Sequence, residues 1–330
     1  MKEQQTVDIV IIGGGLAGMT AAIYAAKANR SCVVLERGIT GGLGNATFQI
    51  ANFPSYIEVG GMELMQKVRE QVNHLEVPVE EICTIERIDL HASPKIVETE
   101  DVRYEAKVVI AATGRKPIPL EAPTECEQVH YCPICDAPPY KGKKVLLVGG
   151  GNSAFDEGLY LKQVGIAEMI IVESMDRLFA AQSVQDKLLG YDDVSYRLNT
   201  VVKDLVVKGG ALKAAILEDK ITGEASSVEI DAVFVFLGQH PNSELFKGLL
   251  TLDKAGYIVA DENMQTSIPG VFSAGDINAK TFRQLTTAAA DGTIASLMAD
   301  RYIRSQEPDP AAAAAARYNS NSKGYRTRAK

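Results

Sequence analysis

The chain carries two cysteines whose spacing suits redox chemistry. Cys132 and Cys135 are separated by two residues, so their sulfur atoms can form a disulfide in a short ring. A Cys-X-X-Cys motif commonly lowers the pKa of one thiol and favours thiol–disulfide exchange. The motif therefore predicts a redox-active dithiol.

Metal binding is a second interpretation of the same segment. Four candidate ligands lie within ten residues: Cys126, His130, Cys132 and Cys135. Three thiolates and an imidazole could bind zinc, but structural zinc sites usually place two ligand pairs further apart. We therefore prefer the redox interpretation and predict no metal site. A structural role is expected for Cys32, which falls in a predicted strand, and for Cys83 and Cys126.

A glycine-rich turn near the N-terminus has the pattern of a dinucleotide site. Gly13, Gly15 and Gly18 follow a strand-like run and open an alanine-rich helix, and Glu36 ends the next predicted strand about twenty residues later. Such glycines let the backbone approach a pyrophosphate at the helix N-terminus, and the carboxylate accepts hydrogen bonds from ribose hydroxyls. The alternative is a tight turn between packed elements.

The same architecture recurs in the middle of the chain. The second motif consists of Gly149, Gly150, Gly151, Asn152, Ser153 and Ala154. Alanine is a permitted third small residue, and Glu173 stands at the position of the ribose acceptor. A carboxylate there would repel a 2′-phosphate, so the sequence favours NADH over NADPH at this site. The alternative is that Glu173 is an ordinary solvated strand end.

These repeats predict an α/β protein with two Rossmann-like nucleotide-binding domains, each of three layers (ββα). Strands are predicted at 7–12, 32–35, 144–148 and 169–172, and helices from the glycine motifs to about Ala28 and Gln163, with a long helix from about Phe282 to Ile303. A Pro-rich passage at 116–139 predicts a domain crossing. The expected domains are 1–116, 117–244 and 245–305, where the last completes the first, followed by a tail, 306–330.

Composition limits the classes of function. The hydrophobic content is 46%, but each hydrophobic run is far shorter than the roughly 20 residues that span a bilayer, so no membrane segment is expected. A net charge of -8 argues against nucleic acid as a partner. Five cysteines in 330 residues do not make a disulfide scaffold, and no leader peptide is apparent. We expect a cytoplasmic protein.

From about Val7 to Ile303 the chain resembles the low-molecular-weight, bacterial-type thioredoxin reductases. Besides the two glycine motifs, Glu36 and the cysteine pair, the matching residues are Gly41, Gly42, Asn52, Phe53, Pro54, Ala112, Thr113, Gly114, Asp136, Gly238, Pro241, Asn242, Gly275, Asp276, Arg283 and Gln284. The resemblance implies the FAD/NAD(P)-binding fold of the pyridine nucleotide-disulfide oxidoreductases. It also implies a homodimer.

The resemblance assigns roles to individual residues. It implies FAD in the first domain, with 275–276 and 283–284 near the ribitol and the flavin. Cys135 would face the flavin, and Cys132 would attack the disulfide of thioredoxin or a thioredoxin-like protein. Asp136 would be the acid that protonates the outgoing thiolate, or alternatively would cap a local turn. The smaller domain would rotate about hinges at 115–119 and 238–242.

The chain also departs from the family pattern. The His-Arg-Arg cluster that holds the 2′-phosphate of NADPH is here Glu173, Ser174 and Met175, and a later Arg is replaced by Phe179. NADPH is therefore doubtful as the electron donor. NADH, or ferredoxin without any pyridine nucleotide, remains as an alternative. Leu43 and Ala137 replace a Gln and a Gly of the family near the flavin edge and the active-site loop.

Two further alternatives remain open. The chemistry could run backwards, as an FAD-dependent oxidase that uses oxygen to oxidise a small dithiol, or the protein could be a non-catalytic flavoprotein that binds zinc. The tail could dock an acidic partner such as ferredoxin through its basic residues, or a tyrosine could cover the flavin. The residues concerned are Arg317, Tyr318, Lys323, Tyr325, Arg326, Arg328 and Lys330.

Overall fold

The computed structural model describes residues 2–47 and 49–307, which form two compact units. Unit 1 comprises the chain up to Thr40, Lys67–Gly114 and the chain from Ser243 onward; unit 2 comprises Gly41–Gln66 and Arg115–Asn242. The chain therefore leaves unit 1 and returns to it. The predicted boundaries were 116/117 and 244/245, and they did not place 41–66 in the second unit. The predictions for 308–330 lie outside the described residues.

The strands and helices are numbered in chain order. The strands are β1 (Glu3–Ile12), β2 (Cys32–Leu35), β3 (Val79–Glu80), β4 (Ile85–Asp89), β5 (Lys95–Thr99), β6 (Val102–Ala111), β7 (Arg115–Pro117), β8 (Val129–His130), β9 (Lys144–Val148), β10 (Glu168–Val172), β11 (Val194–Arg197), β12 (Thr200–Lys208), β13 (Ala211–Asp219), β14 (Ala225–Glu229), β15 (Ala232–Val235), β16 (Gln239–Pro241) and β17 (Val271–Ser273). The helices are α1 (Leu16–Lys27), α2 (Gly61–His74), α3 (Pro133–Asp136), α4 (Asn152–Val164), α5 (Gln182–Leu189) and α6 (Leu285–Gln306).

Unit 1 is built on a sheet in the order β3-β2-β1-β6-β5-β4, with β17 also paired to β6. The central strands β2, β1, β6 and β17 are parallel, and their apolar ends are buried, as expected for strands covered on both faces. Helices α1 and α6 pack closely: a Cβ at Gly292 would lie 2.2 Å from the carbonyl oxygen of Ala17. This contact brings the last helix of the unit against the first.

The start of α6 differs from the prediction. Helix α6 begins at Leu285 rather than near Phe282, because Gln284 has extended backbone angles and caps it. The Gln284 side chain and that of Thr287 each bond the backbone of the other in a capping box. Gln284 was predicted only as a flavin-site residue, and its capping role is an additional finding.

Unit 2 contains a parallel sheet in the order β11-β10-β9-β15-β8, an antiparallel sheet β12-β13-β14, and a two-stranded ladder of β7 and β16. The ladder occupies the two segments, 115–119 and 238–242, that were predicted as hinges. It forms because Pro117 and Pro241 lie at the ends of the two short strands, so the central pair Lys116–His240 keeps its backbone N–H groups. In the described residues no helix is both long enough and apolar enough to cross a membrane.

Candidate functional site

The three glycines of the first motif have different surroundings. Gly13 has φ +113°, and a Cβ there would lie 2.3 Å from the carbonyl oxygen of Ala112. A Cβ at Gly18 would lie 1.9 Å from the carbonyl oxygen of Gly13. At Gly15, by contrast, no described atom lies within 4 Å of the Cβ position, and no described side chain caps α1. The first and last glycines thus allow close packing, while the middle one leaves space before a helix N-terminus, as a pyrophosphate requires.

The carboxylate of Glu36 is fixed at the end of β2. Its Oε2 accepts a hydrogen bond from Gly14 N–H at 2.6 Å, and its Oε1 accepts one from Gly38 N–H at 2.8 Å. Two backbone donors hold the carboxylate beside the glycine turn, where the ribose of a dinucleotide would lie. The arrangement fits FAD.

Other predicted flavin-site residues of unit 1 lie at strand ends. Ala112, Thr113 and Gly114 follow β6, and Gly275 and Asp276 follow β17. Because β17 and β6 are parallel neighbours, both segments leave the sheet at the same edge, which is also the edge of the first glycine turn.

Two charged residues near Gly275, Asp291 and Lys280, were not identified from the sequence. Asp291 of α6 is buried, and its Oδ2 accepts bonds from Gly275 N–H at 3.0 Å and from Lys280 Nζ at 2.7 Å. Arg283, which was predicted near the flavin, stacks over Tyr257 with its guanidinium carbon 4.0 Å from the ring centre. The sequence signal that could have identified Asp291 was an acidic residue directly after three alanines, 288–290, on the predicted last helix.

Three predicted flavin-site residues fall in the segment 41–66, which belongs to unit 2: Gly41, Gly42 and Asn52. Gly41 and Gly42 both have positive φ, +116° and +55°, and start a short 3-10 turn. The structure does not bring them together with the unit 1 residues within one unit, so their part in FAD binding stays a prediction.

The second glycine motif repeats the geometry of the first. Gly149 has φ +122°, and a Cβ there would lie 2.4 Å from the carbonyl oxygen of Phe236. No described atom lies within 4 Å of the Cβ position of Gly151, and no described side chain caps α4. Ala154 is fully buried at the third position. The Asn152 carboxamide accepts a bond from Ala181 N–H at 2.8 Å, so it anchors the next loop.

Glu173 repeats the position of Glu36. Its Oε2 accepts a bond from Gly150 N–H at 2.7 Å, and its Oε1 accepts one from Met175 N–H at 2.9 Å. Beside it lies a cavity of about 280 Å³. The cavity is lined by residues 118–121, 148–149, 172–174, 200–202 and Leu237. Its walls are mainly apolar, so a flat aromatic base could fill it next to a ribose held by Glu173.

Cys132 and Cys135 form a disulfide, with their Cα atoms 5.4 Å apart. Cys132 has extended backbone angles and is the N-cap of α3, and its sulfur and carbonyl oxygen lie 3.4 and 3.1 Å from Cys135 N. Pro133 occupies the first helical position, where its missing N–H is not needed. The short helix therefore places the two sulfur atoms together and Cys135 toward the exposed side.

Asp136 follows the disulfide directly and lies next to a histidine. Its N–H donates to the carbonyl of Cys132 at 3.0 Å, and its Oδ2 lies 3.4 Å from Nδ1 of His130. From the sequence, His130 was predicted only as a candidate zinc ligand. In the described part of the chain no three His, Cys, Asp or Glu residues are grouped to hold a metal ion.

The remaining cysteines are free thiols. Cys32 is buried, as predicted, and its burial, with a smaller effect of the Asp8 charge, raises the pKa of its thiol to about 12. Partial burial and the negative charge of Glu80 raise the pKa of the Cys83 thiol to about 11. Both thiols are therefore poor nucleophiles at neutral pH.

Comparisons with known proteins agree with this geometry. Residues 7–292 match the pyridine nucleotide-disulphide oxidoreductase family. A 34.2 kDa protein of the rubredoxin operon of Clostridium pasteurianum is 40% identical over 92% of this chain and 99% of that protein. The thioredoxin reductase of Bacillus subtilis is 36% identical over 92% of this chain and 96% of its own.

A solved structure extends the match to the fold. The crystal structure of Lactococcus lactis thioredoxin reductase is 34% identical, has a TM-score of 0.84, and covers 91% of this chain and 99% of that one. The predicted fold class and the resemblance are thereby confirmed, and FAD is the cofactor that the family supports. The chain belongs to the pyridine nucleotide-disulphide oxidoreductase family and is an oxidoreductase of the low-molecular-weight thioredoxin reductase type.

Proposed function

We propose that the protein reduces the disulfide of thioredoxin or a thioredoxin-like protein through Cys132 and Cys135. The observation that carries the proposal is the disulfide at the start of α3, with Asp136 directly after it, in the unit that holds the second glycine motif. Bound FAD would supply the two-electron chemistry that links an electron donor to a dithiol. Homologous enzymes named thioredoxin reductase support the choice of partner.

Each side chain of the dithiol site has a defined task. The reduced Cys132 attacks the partner disulfide, Cys135 displaces the partner from the mixed disulfide, and Asp136 supplies the proton when a thiolate leaves. The two cysteines are reoxidised to the disulfide as the partner gains two thiols. This assignment of roles rests on the resemblance together with the positions of the three residues in α3.

We infer that NADH is preferred over NADPH as donor. Two backbone N–H groups hold the Glu173 carboxylate where a ribose would bind, and a 2′-phosphate there would meet its negative charge. The only other acid lining the adjacent cavity, Glu121, adds to this repulsion, and no described lining residue is basic. Lys220 donates to the carbonyl of Ser174 at 3.1 Å, so it is a cation close to this loop.

A small electron-carrier protein is the second candidate donor. The 40% identical relative from Clostridium pasteurianum is described by its place in a rubredoxin operon. The absence of a His-Arg-Arg cluster after β10 is compatible with a donor other than NADPH. A ferredoxin would then serve in place of NADH. The homodimer and the cytoplasmic location stay predictions.

To test the proposal, the purified holoprotein is mixed under anaerobic conditions with NADH, NADPH or reduced ferredoxin, all at the same concentration. Loss of the flavin absorbance identifies the donor, and thiols appearing on added thioredoxin identify the acceptor. We expect NADH to outperform NADPH and thioredoxin to be reduced. A Cys132→Ser variant should still accept electrons but reduce no thioredoxin. Reduction of thioredoxin by none of the three donors would refute the proposal.

A further inference from the structure

Beside the redox disulfide lies a histidine whose two ring nitrogens are both engaged. His130 ends β8, two residues before Cys132. Its Nδ1 lies 3.4 Å from Asp136 Oδ2, and its Nε2 lies 2.9 Å from the hydroxyl of Tyr140. The imidazole thus connects the carboxyl next to the disulfide with a phenol on the following 3-10 turn.

The packing around His130 keeps this orientation. Its ring centre lies 5.3 Å from those of Tyr140 and Phe234, and Tyr140 meets Phe234 edge-on at 6.1 Å. Phe234 is fully buried, and only 15% of the His130 side chain is exposed. A ring with aromatic neighbours and a partner at each nitrogen has little freedom to rotate.

The hydrogen bonds also indicate the tautomer of His130. Burial, followed by the charges of Cys126, Asp136 and Asp231, raises the pKa of Tyr140, so its hydroxyl stays protonated. The hydroxyl can then donate to Nε2 of His130. The hydrogen of the neutral ring lies on Nδ1, from which it points to Asp136.

We propose that His130 is a positioning residue for Asp136, and that the two share a proton so that the pair, rather than Asp136 alone, is the acid for Cys132. The inference deepens the proposed function and rests on it. When a nucleophile attacks the Cys135 sulfur, the S–S bond breaks and its electron pair leaves on Cys132. The proton that the pair holds passes through Asp136 to that thiolate, which becomes a thiol, and the pair takes up another proton from water.

The surroundings of the pair set the direction of its pH dependence. Burial lowers the pKa of His130 from its ordinary value of 6.5, and the charge and hydrogen bond of Asp136 oppose this. The ionisable groups that face the imidazole are Asp136 and Tyr140. The pair therefore gains its proton below pH 6.5, the ordinary pKa of histidine. The acid contribution should rise as the pH falls below that value.

The test measures how fast dithiothreitol opens the Cys132–Cys135 disulfide in the holoprotein between pH 4 and 8, by alkylation and mass spectrometry. The wild-type rate divided by that of Asp136→Asn at each pH cancels the titration of the reductant. We expect this ratio to reach about 100-fold at low pH, which is the lower range for a general acid, with its midpoint below pH 6.5.

The matched comparison uses His130→Asn, which keeps a donor near the position of Nδ1 and cannot hold a second proton. Its rate divided by that of the double variant His130→Asn/Asp136→Asn should show a midpoint at a lower pH than the wild-type ratio shows. His74→Ala, at an exposed histidine, is the control and should match the wild type. Equal midpoints with and without His130 would overturn the proposal.

A second measurement does not depend on a His130 variant. Nuclear magnetic resonance of labelled histidine should show that the pKa of His130 falls in Asp136→Asn, because the raising effect of the carboxylate is lost. An unchanged pKa would also overturn the proposal. Dithiothreitol needs neither the electron donor nor thioredoxin, so a failure of the proposed function would leave both readouts intact.

Discussion

At the scale of single residues, the two glutamates at the ends of β2 and β10 show the same chemistry used twice. Glu36 and Glu173 each accept two backbone hydrogen bonds, one of them from the middle of the glycine turn. In unit 2 this leaves one carboxylate as the main source of discrimination against a 2′-phosphate. The proposed donor preference therefore depends on the charge of Glu173.

Glu173→Gln should raise kcat/KM for NADPH relative to NADH by about tenfold, because removing one charge repulsion of about 1.4 kcal/mol changes the ratio by that factor. Glu173→Arg should raise the NADPH-to-NADH ratio of kcat/KM more than Glu173→Gln does. Steady-state rates with both nucleotides measure the ratio. Glu168→Gln, at the opposite end of the same strand, is the matched control and should leave it unchanged. A constant ratio in both Glu173 variants would mean that this pocket does not select the donor.

The free thiols give a prediction from their raised pKa values. With a pKa of about 12 for Cys32 and about 11 for Cys83, only about one thiol in 10⁴ and one in 10³ is ionised at pH 8. Iodoacetamide at pH 8 should therefore leave both unmodified in the native protein over an hour. Mass spectrometry of the native and the guanidinium-denatured protein tests this. Rapid native labelling of Cys32 would contradict its burial.

At the scale of elements, the two glycine turns separate folding from ligand binding. Gly18 is needed because its Cβ would strike the carbonyl of Gly13, whereas Gly15 faces open space with φ -73°, which alanine can adopt. A methyl group at Gly15 would occupy only the space before α1. The same distinction holds between Gly149 and Gly151 in unit 2.

Gly15→Ala should therefore fold with an unchanged melting temperature in the FAD-free form, yet bind FAD weakly. Gly18→Ala should lower the free energy of unfolding by about 1–3 kcal/mol, the usual cost of overpacking. Thermal melting and flavin absorbance after purification measure both effects. Gly151→Ala is the matched variant in unit 2 and should retain FAD while losing nicotinamide binding. Full FAD content in Gly15→Ala would contradict the pyrophosphate position.

At the scale of the whole molecule, unit 1 depends on the return of the chain in α6. Gly292 lets α6 contact α1, and Arg30, beyond the end of α1, bonds Asp300 and Glu307 at 2.8 Å each. Burial alone would raise the pKa of Asp300, but the hydrogen bonds and charges of Arg304 and Arg30 together lower it. The ion pairs thus join residues that are 270 and 277 positions apart in the sequence.

Because the pKa of Asp300 is lowered in the folded protein, its contribution to stability is present above its ordinary pKa of 3.8 and is lost as the pH falls through the folded value. Asp300→Asn should lower the free energy of unfolding by about 1 kcal/mol or more at pH 7, as for a hydrogen bond to a charged group. Urea denaturation should show this difference shrinking below pH 4. Arg301→Ala, exposed on the same helix, is the control. A difference that does not change with pH would contradict the linkage.

The dinucleotide turns, the dithiol and the family could be predicted from the sequence, because each rests on a local pattern. Turn glycines, a strand-end carboxylate and a Cys-X-X-Cys motif depend on backbone geometry within about thirty residues. The start of α6 was predicted at Phe282, three residues before the observed Leu285. Gln284 had been assigned to the flavin site, so its role as the N-cap of the helix was not recognised. The ladder of β7 and β16 was missed because the prolines of 116–139 were taken to block ladder hydrogen bonds and 238–242 was predicted as a hinge.

By itself, the sequence determined the nature of the protein: a flavin-type disulfide oxidoreductase fold with two dinucleotide turns and a Cys132–Cys135 pair. Only the tertiary structure decided which side chains surround that chemistry. His130 meets Asp136 and Tyr140, and Asp291 meets Gly275, through contacts that depend on how strands and helices pack. Such contacts follow from three-dimensional positions that no spacing along the chain specifies. The neighbours of Asp136, which was predicted as the acid from the resemblance, therefore became visible only in the fold.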